Sequence, residues 1–148
     1  MKTIVVYDSL YDNTEQVAKI IGGAMAGEVT FVRSAEADAA ALASFDLIIV
    51  GSPTQGGRRT ISVKDFLDRI PADALKDKKV AAFDTRLKST WVKIFGYAAP
   101  RIANALKAKG GNLVSPPEGF FVKGRRGPLL EGEFERAAAW AKSITAGQ

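Results

Sequence analysis

Thr3-Ile4-Val5-Val6-Tyr7 runs directly into Asp8-Ser9-Leu10-Tyr11-Asp12-Asn13-Thr14-Glu15, and this stretch decides the fold. The first five residues are β-branched or aromatic, the composition of a strand. The next eight form a polar loop, and from about Thr14 the apolar residues Val17, Ile20, Ile21 and Ala24 recur at helical spacing. Strand, polar loop and helix together make the first half of a βαβ unit. If the rest of the chain repeats this alternation, the strands lie parallel, with helices on both faces of one sheet.

The rest does repeat it. Glu28 to Arg33 reads as a second, shorter strand. Leu47-Ile48-Ile49-Val50 is apolar throughout, as expected of a strand covered on both faces. Lys64 to Arg69 reads as a helix with Val63, Phe66 and Leu67 inward, ended by Pro71. Lys79 to Asp84 is the fourth strand, and Gly96 to Lys109 the next helix, stopped by Gly110-Gly111. Asn112 to Val122 is an edge or broken strand, interrupted at Pro116-Pro117. Glu131 to Ile144 closes the chain as a helix with Phe134, Ala137, Ala138, Ala141 and Ile144 facing in. The pattern predicts one doubly wound domain over residues 1–148, with about five strands and about five helical segments.

Composition narrows the chemistry. The chain has 148 residues, 47% hydrophobic and 25% charged, with no cysteine and no histidine. That excludes thiol chemistry, disulfides, iron–sulfur ligation and nearly every zinc or copper site. It also removes the commonest general base. Redox chemistry would therefore need a bound organic cofactor. The N-terminal apolar run is too short for a signal peptide, and no run approaches the length of a membrane span. The expectation is a soluble, cytoplasmic protein. The net charge of +5 is dispersed except at Lys123-Gly124-Arg125-Arg126, which reads as a solvated surface loop rather than a nucleic-acid patch.

Open parallel sheets bind ligands at the carboxyl ends of their strands, beside the point where strand order reverses. Three loops matter there. In the first, Ser9, Asn13 and Thr14 lie beside a helix N-terminus whose free N–H groups favour an anion, so a phosphate monoester suits it. Plain helix capping accounts for the same residues. The second, Gly51-Ser52-Pro53-Thr54-Gln55-Gly56-Gly57-Arg58-Arg59, has paired glycines that let a flat ligand approach the backbone; an ordinary surface turn is the alternative. The third, Thr85-Arg86-Leu87-Lys88-Ser89-Thr90-Trp91, holds a tryptophan suited either to stacking on an aromatic ligand or to the core.

With these loops on one rim, the chain resembles the flavodoxin family over essentially its whole length. The family's first loop is hydroxyl-rich and ends in Gly-Asn-Thr; Ser9, Asn13 and Thr14 match, whereas Leu10, Tyr11 and Asp12 replace two hydroxyls and a glycine. Thr54-Gln55-Gly56 stands where the family often has an inner aromatic. Trp91, ahead of Phe95-Gly96, fits the outer aromatic. The resemblance implies a flavodoxin-like three-layer α/β sandwich with a five-stranded parallel sheet in the order 2-1-3-4-5. It implies FMN as cofactor, the phosphate held by the loop of Ser9, Leu10, Tyr11, Asp12, Asn13 and Thr14. Pro53, Thr54, Gln55 and Gly56 would follow the ribityl chain and the flavin N5 edge. Thr85, Arg86, Leu87, Lys88 and Ser89 would border the pyrimidine, and Trp91 would cover the outer ring face.

The function implied is electron transfer between redox partner proteins by a monomer. The family tends to be acidic around the flavin, but here Arg58, Arg59, Arg86, Lys88 and Lys93 face mainly Asp84. The basic rim predicts partners with acidic docking faces and a less negative last reduction step. Two other readings remain open: an FMN-dependent NAD(P)H:quinone-type oxidoreductase, for which the absent inner aromatic leaves room, and a cofactor-free interaction module of the same fold.

Overall fold

The computed structural model describes residues 1–55, 57–88 and 96–146. Its sheet is built from β1 (Lys2–Tyr7), β2 (Glu28–Arg33), β3 (Leu47–Pro53), β4 (Lys79–Leu87), β5 (Asn112–Leu113) and β6 (Glu118–Val122). The helices are α1 (Asn13–Gly23), α2 (Ile61–Arg69), α3 (Ala98–Ala108) and α4 (Glu133–Thr145), with two 3₁₀ turns at Ser34–Glu36 and Ala39–Ser44. The strand order is β2-β1-β3-β4-β5, all parallel, as the family resemblance implies.

The sheet has six strands rather than five, because the Pro116-Pro117 interruption divides the last one. Proline has no N–H to donate, so the ladder lapses there. β5 pairs with the start of β4 (Val80↔Leu113), and β6 pairs with its end (Thr85↔Phe120, Leu87↔Val122). This second pairing carries β4 through Leu87, so Thr85, Arg86 and Leu87 are strand residues and not the loop residues expected above. They have a partner that the local sequence does not reveal.

Alternation along the buried strands sorts the core into two layers. Ile4, Val6, Ile48, Val50, Val80 and Ala82 face α2 and α3, meeting Val63, Phe66, Leu67, Ile102 and Leu106. Val5, Tyr7, Leu47, Ile49, Ala81 and Phe83 face α1 and α4, meeting Val17, Ile21, Ala137, Trp140 and Ile144. Phe83, Phe120 and Trp140 pack edge to face at centroid distances of 6.0–6.3 Å, a geometry that adds about 0.5–1.5 kcal/mol per pair beyond burial. Fully burying side chains of this kind contributes roughly 1.5–3 kcal/mol each.

Local chemistry sets the helix ends. α2 begins at Ile61, three residues before the expected start, because Thr60 Oγ1 accepts from the Val63 N–H at 3.4 Å. α4 begins at Glu133, and here the expected inward face is partly wrong. Phe134 is 44% exposed, while Glu133 and Trp140 are buried. Glu133 Oε2 accepts the Phe121 N–H at 2.7 Å and Arg136 Nη2 at 2.7 Å, so the carboxylate turns toward β6.

Candidate functional site

Helices return antiparallel to the strands they follow, so the N-termini of α1 and α3 lie at the carboxyl edge of the sheet. The loops after β1, β3 and β4 meet there, as parallel doubly wound topology requires.

In the first loop, Ser9 Oγ accepts the Glu15 N–H at 3.3 Å, and Asp8 Oδ1 accepts the Ser9 N–H at 2.9 Å. Ser9 is therefore engaged in capping α1. Asp12 has φ +66°, in the left-handed region. That is where the family pattern places glycine, and aspartate is among the few other residues that adopt this conformation readily. Its carbonyl accepts the Gln16 N–H at 3.0 Å, starting the helix. Thr14, nearly fully buried, shares a 2.8 Å hydrogen bond between its hydroxyl and that of Thr85. This bond ties the first loop to β4. Below the loop, Tyr7 Oη donates to Glu15 Oε1 at 2.8 Å. Burial, reinforced by that carboxylate, pushes the Tyr7 phenol up from its ordinary value.

The second loop is held at both ends. Thr54 N–H donates to Thr85 O at 2.8 Å, and Thr54 Oγ1 accepts the Ala98 N–H at 3.1 Å. Gln55 and Arg58 exchange backbone hydrogen bonds at 2.8 and 2.9 Å, closing a tight turn. At the end of β4, Arg86 reaches back to the fully buried Asp84 through two hydrogen bonds of 2.7 and 2.8 Å. Its guanidinium lies 3.4 Å from the Tyr97 ring centroid. Asp84 Oδ2 also accepts the Ala99 N–H at 2.8 Å. Burial pushes the Asp84 carboxyl up from its ordinary value, and the Arg86 pair opposes that rise. Arg86 thus counts as half of a neutral pair, not as a free cation of the rim.

Together these elements enclose a cavity of about 250 Å³. Of the residues expected at a flavin, Leu10, Tyr11, Asn13, Thr14, Pro53, Thr54, Gln55, Thr85, Arg86 and Leu87 line it. Ser9, Asp12 and Lys88 do not; Lys88 is exposed with Nζ 5.9 Å from the Phe121 ring. Gly56, Ser89 and Trp91, with Lys93 and Phe95, lie outside the described residues. Two lining residues were not expected, Val122 and Arg125. The parallel return of β6 beside β4 brings a fourth loop to the same rim. The only local sign of it was the basic cluster at Lys123–Arg126.

The lining suits a flavin nucleotide. Asn13 is 8% exposed and lies on the cavity wall, yet its amide makes no hydrogen bond among the described residues. Buried amides are normally satisfied, so this one is available to a ligand. The first-turn N–H groups of α1 are beside it. Leu10, Tyr11 and Leu87 present exposed apolar surface to the same opening. Bounded by the described residues, the cavity is smaller than the roughly 300–1,000 Å³ of pockets that enclose a ligand. Among the described residues there is no group of carboxylates that could hold a metal ion.

Comparison with known proteins agrees with this geometry. No curated protein matches the chain by sequence. Flavodoxin 2 from Bacillus cereus is 26% identical, with a TM-score of 0.81 and 100% of each chain covered. Flavodoxin 1 from the same organism is 20% identical, with a TM-score of 0.83, covering 100% of this chain and 99% of that one. A flavodoxin from the domain Archaea is 22% identical, with a TM-score of 0.82, covering 99% and 98%. The last two likenesses concern the fold alone. The model of the flavodoxin domain matches residues 4–120, from the first strand into β6, and so takes in all three loops expected around the ligand. With the strand order and the rim that this match spans, the chain belongs to the flavodoxin domain family.

Proposed function

We propose that this chain binds one FMN in the cavity at the carboxyl edge of the sheet and carries electrons between redox partner proteins. The observation that carries this reading is the convergence of Asn13, Thr14, Thr54 and Thr85 on one cavity beside the α1 N-terminus. A bound FMN supplies the reversible one-electron chemistry. The chain's own residues hold and orient the cofactor. Leu10, Tyr11 and the backbone of the first loop would surround the phosphate with Asn13 and Thr14. Pro53, Thr54 and Gln55 would line the ribityl side, and Thr85, Arg86 and Leu87 the pyrimidine side. The Thr14–Thr85 hydrogen bond fixes the first and third walls relative to each other.

Titration with FMN and with riboflavin, followed by flavin fluorescence quenching, tests the reading. Charge-assisted hydrogen bonds to a phosphate contribute about 1.5–3 kcal/mol each, so FMN binds more tightly by orders of magnitude. Thr14→Glu lowers FMN affinity further by repulsion. Equal affinity for the two flavins overturns the assignment of the phosphate.

The cations around the rim favour partners with acidic docking faces. Arg58, Lys88, Lys123, Arg125 and Arg126 are exposed and make no salt bridge among the described residues. Association with such a partner slows as salt is added. No helix among the described residues is long and apolar enough to cross a membrane; a cytoplasmic monomer fits this role. Exposed Gln55, in place of an aromatic, favours a second reading as an NAD(P)H:quinone-type reductase. Steady-state NAD(P)H oxidation with a quinone separates the two, since a carrier shows almost none.

A further inference from the structure

The basic cluster Lys123-Gly124-Arg125-Arg126 is a solvated loop, as its composition suggests, but it is fastened to the rim of the site. Beyond β6 the chain doubles back: Val122 pairs antiparallel with Leu129, and the Lys123 N–H donates to Pro128 O at 2.9 Å. The Gly127 N–H donates to Gly124 O at 2.9 Å, which makes Arg125 and Arg126 the two residues of the tip. Two contacts then fasten the tip to the first loop. The Arg126 guanidinium lies 5.6 Å from the Tyr11 ring centroid. Gly127, at φ +94°, sits so close to Asn13 that a Cβ there would stand 2.5 Å from Asn13 Oδ1. Only glycine meets both conditions.

This docking puts Arg125 on the cavity wall with Asn13 and Thr14. The first turn of α1 contributes Asn13 and Thr14 to that wall, and the buried Asn13 amide makes no hydrogen bond among the described residues. Arg125 itself has no carboxylate partner among the described residues. Asp12 belongs to the loop on which the tip rests and immediately precedes Asn13. A guanidinium is the side chain best matched to phosphate oxygens, because its fork donates two parallel N–H groups.

The geometry points to Arg125 as a phosphate-binding residue, delivered by a hairpin tip that rests on the first loop. This rests on the FMN reading and deepens it. The phosphate is recognised not only by backbone N–H groups and hydroxyls, but by a charged residue from a fourth loop. The tip also makes FMN affinity depend on salt more than riboflavin affinity does, because only the nucleotide carries the charge that Arg125 meets.

The test is a set of dissociation constants for FMN and riboflavin, by flavin fluorescence quenching, for the full chain and its Arg125→Gln, Arg125→Lys and Lys107→Gln variants. Lys107, in the last turn of α3 at the opposite edge of the sheet, controls for net charge. Arg125→Gln is expected to weaken FMN about tenfold or more and to leave riboflavin within about twofold, with Arg125→Lys between the parent and Arg125→Gln. The ³¹P resonance of bound FMN should shift between the parent and Arg125→Gln, and added salt should narrow the FMN-to-riboflavin ratio more in the parent than in Arg125→Gln. Far-UV circular dichroism confirms that the tip variants fold. An unchanged FMN-to-riboflavin ratio in Arg125→Gln, in a parent that prefers FMN, overturns the role of Arg125 and leaves the FMN reading standing. Equal weakening of both flavins also overturns it, since the arginine would then act on the ring or on the loop. A parent that takes up neither flavin overturns the FMN reading itself, and this proposal with it.

Discussion

Replacing Arg86 by methionine isolates Asp84, the most heavily buried carboxylate among the described residues. Asp84 has no exposed surface; two hydrogen bonds from Arg86, at 2.7 and 2.8 Å, and one from the Ala99 N–H, at 2.8 Å, satisfy its carboxylate. Methionine keeps an unbranched apolar stem and removes the guanidinium, with its charge and its stacking on Tyr97. Two unit charges about 4 Å apart attract by about 4 kcal/mol at an effective dielectric near 20. Breaking a buried pair from one side costs about 3–5 kcal/mol. For a domain of this size that is a fall in melting temperature of roughly 6–20 °C. The cost depends on pH, and its sign follows from the pKa. Burial already raises the Asp84 carboxyl, and Arg86 is the strongest opposing influence. A raised acid contributes most stability below its unfolded value, near about 3.9, and loses it as pH rises through the folded value. Without Arg86 the folded value climbs further, so Arg86→Met is mildly destabilised at about pH 4 and severely at about pH 7.5. The double variant Asp84→Asn, Arg86→Met regains most of the loss at neutral pH. Urea unfolding of the parent and the two variants at both pH values measures this. A loss that is the same at both, or below about 1 kcal/mol at neutral pH, refutes the reasoning.

Glu133 shows the opposite dependence. It is buried, which favours its neutral form, but Arg136 and the Phe121 N–H more than compensate and hold its carboxyl below the ordinary value. Its stabilisation is present above the unfolded pKa, near about 4.3, and is lost as pH falls through the folded one; Glu133→Gln should flatten that part of the stability–pH curve. Asp12→Gly relieves a left-handed residue, which costs about 1–2 kcal/mol for side chains other than glycine and somewhat less for aspartate; denaturant unfolding should show a gain of up to about 1 kcal/mol, with tighter FMN binding. Gly127→Ala strains the tip and forces it off Asn13, so FMN affinity should fall while riboflavin titration changes less. Trp140→Phe removes the hydrogen bond to Ser115 Oγ, 3.0 Å long, and should lower stability by about 1–3 kcal/mol without altering FMN affinity; Trp91→Ala should weaken FMN binding if Trp91 stacks on the flavin.

The sequence by itself determined the layers and the edge at which ligands bind. Runs such as Val5-Val6 and Leu47-Ile48-Ile49-Val50 must be buried on both faces, and helical spacing after each run supplies the cover. Once the strands are parallel, the carboxyl edge is the place for a ligand, and the loops holding Asn13, Thr14, Thr54 and Thr85 follow. Local patterns carry this information because side-chain periodicity is a property of consecutive residues. Only the tertiary structure decided what depends on partners distant in the chain. The pairing of Thr85, Arg86 and Leu87 with Phe120, Phe121 and Val122 turned an expected loop into strand. Glu133 displaced Phe134 from the core because its carboxylate found the Phe121 N–H. Arg86 lost its standing as a rim charge because Asp84 is buried beneath it. Arg125 entered the site because Gly127, alone able to adopt its backbone angle there, lets the hairpin tip rest on Asn13. Arg86 and Asp84 stand only two residues apart, and burial decides their pairing; the others are contacts across many residues, where the energy lies in the pair and neither partner's neighbours in sequence record it.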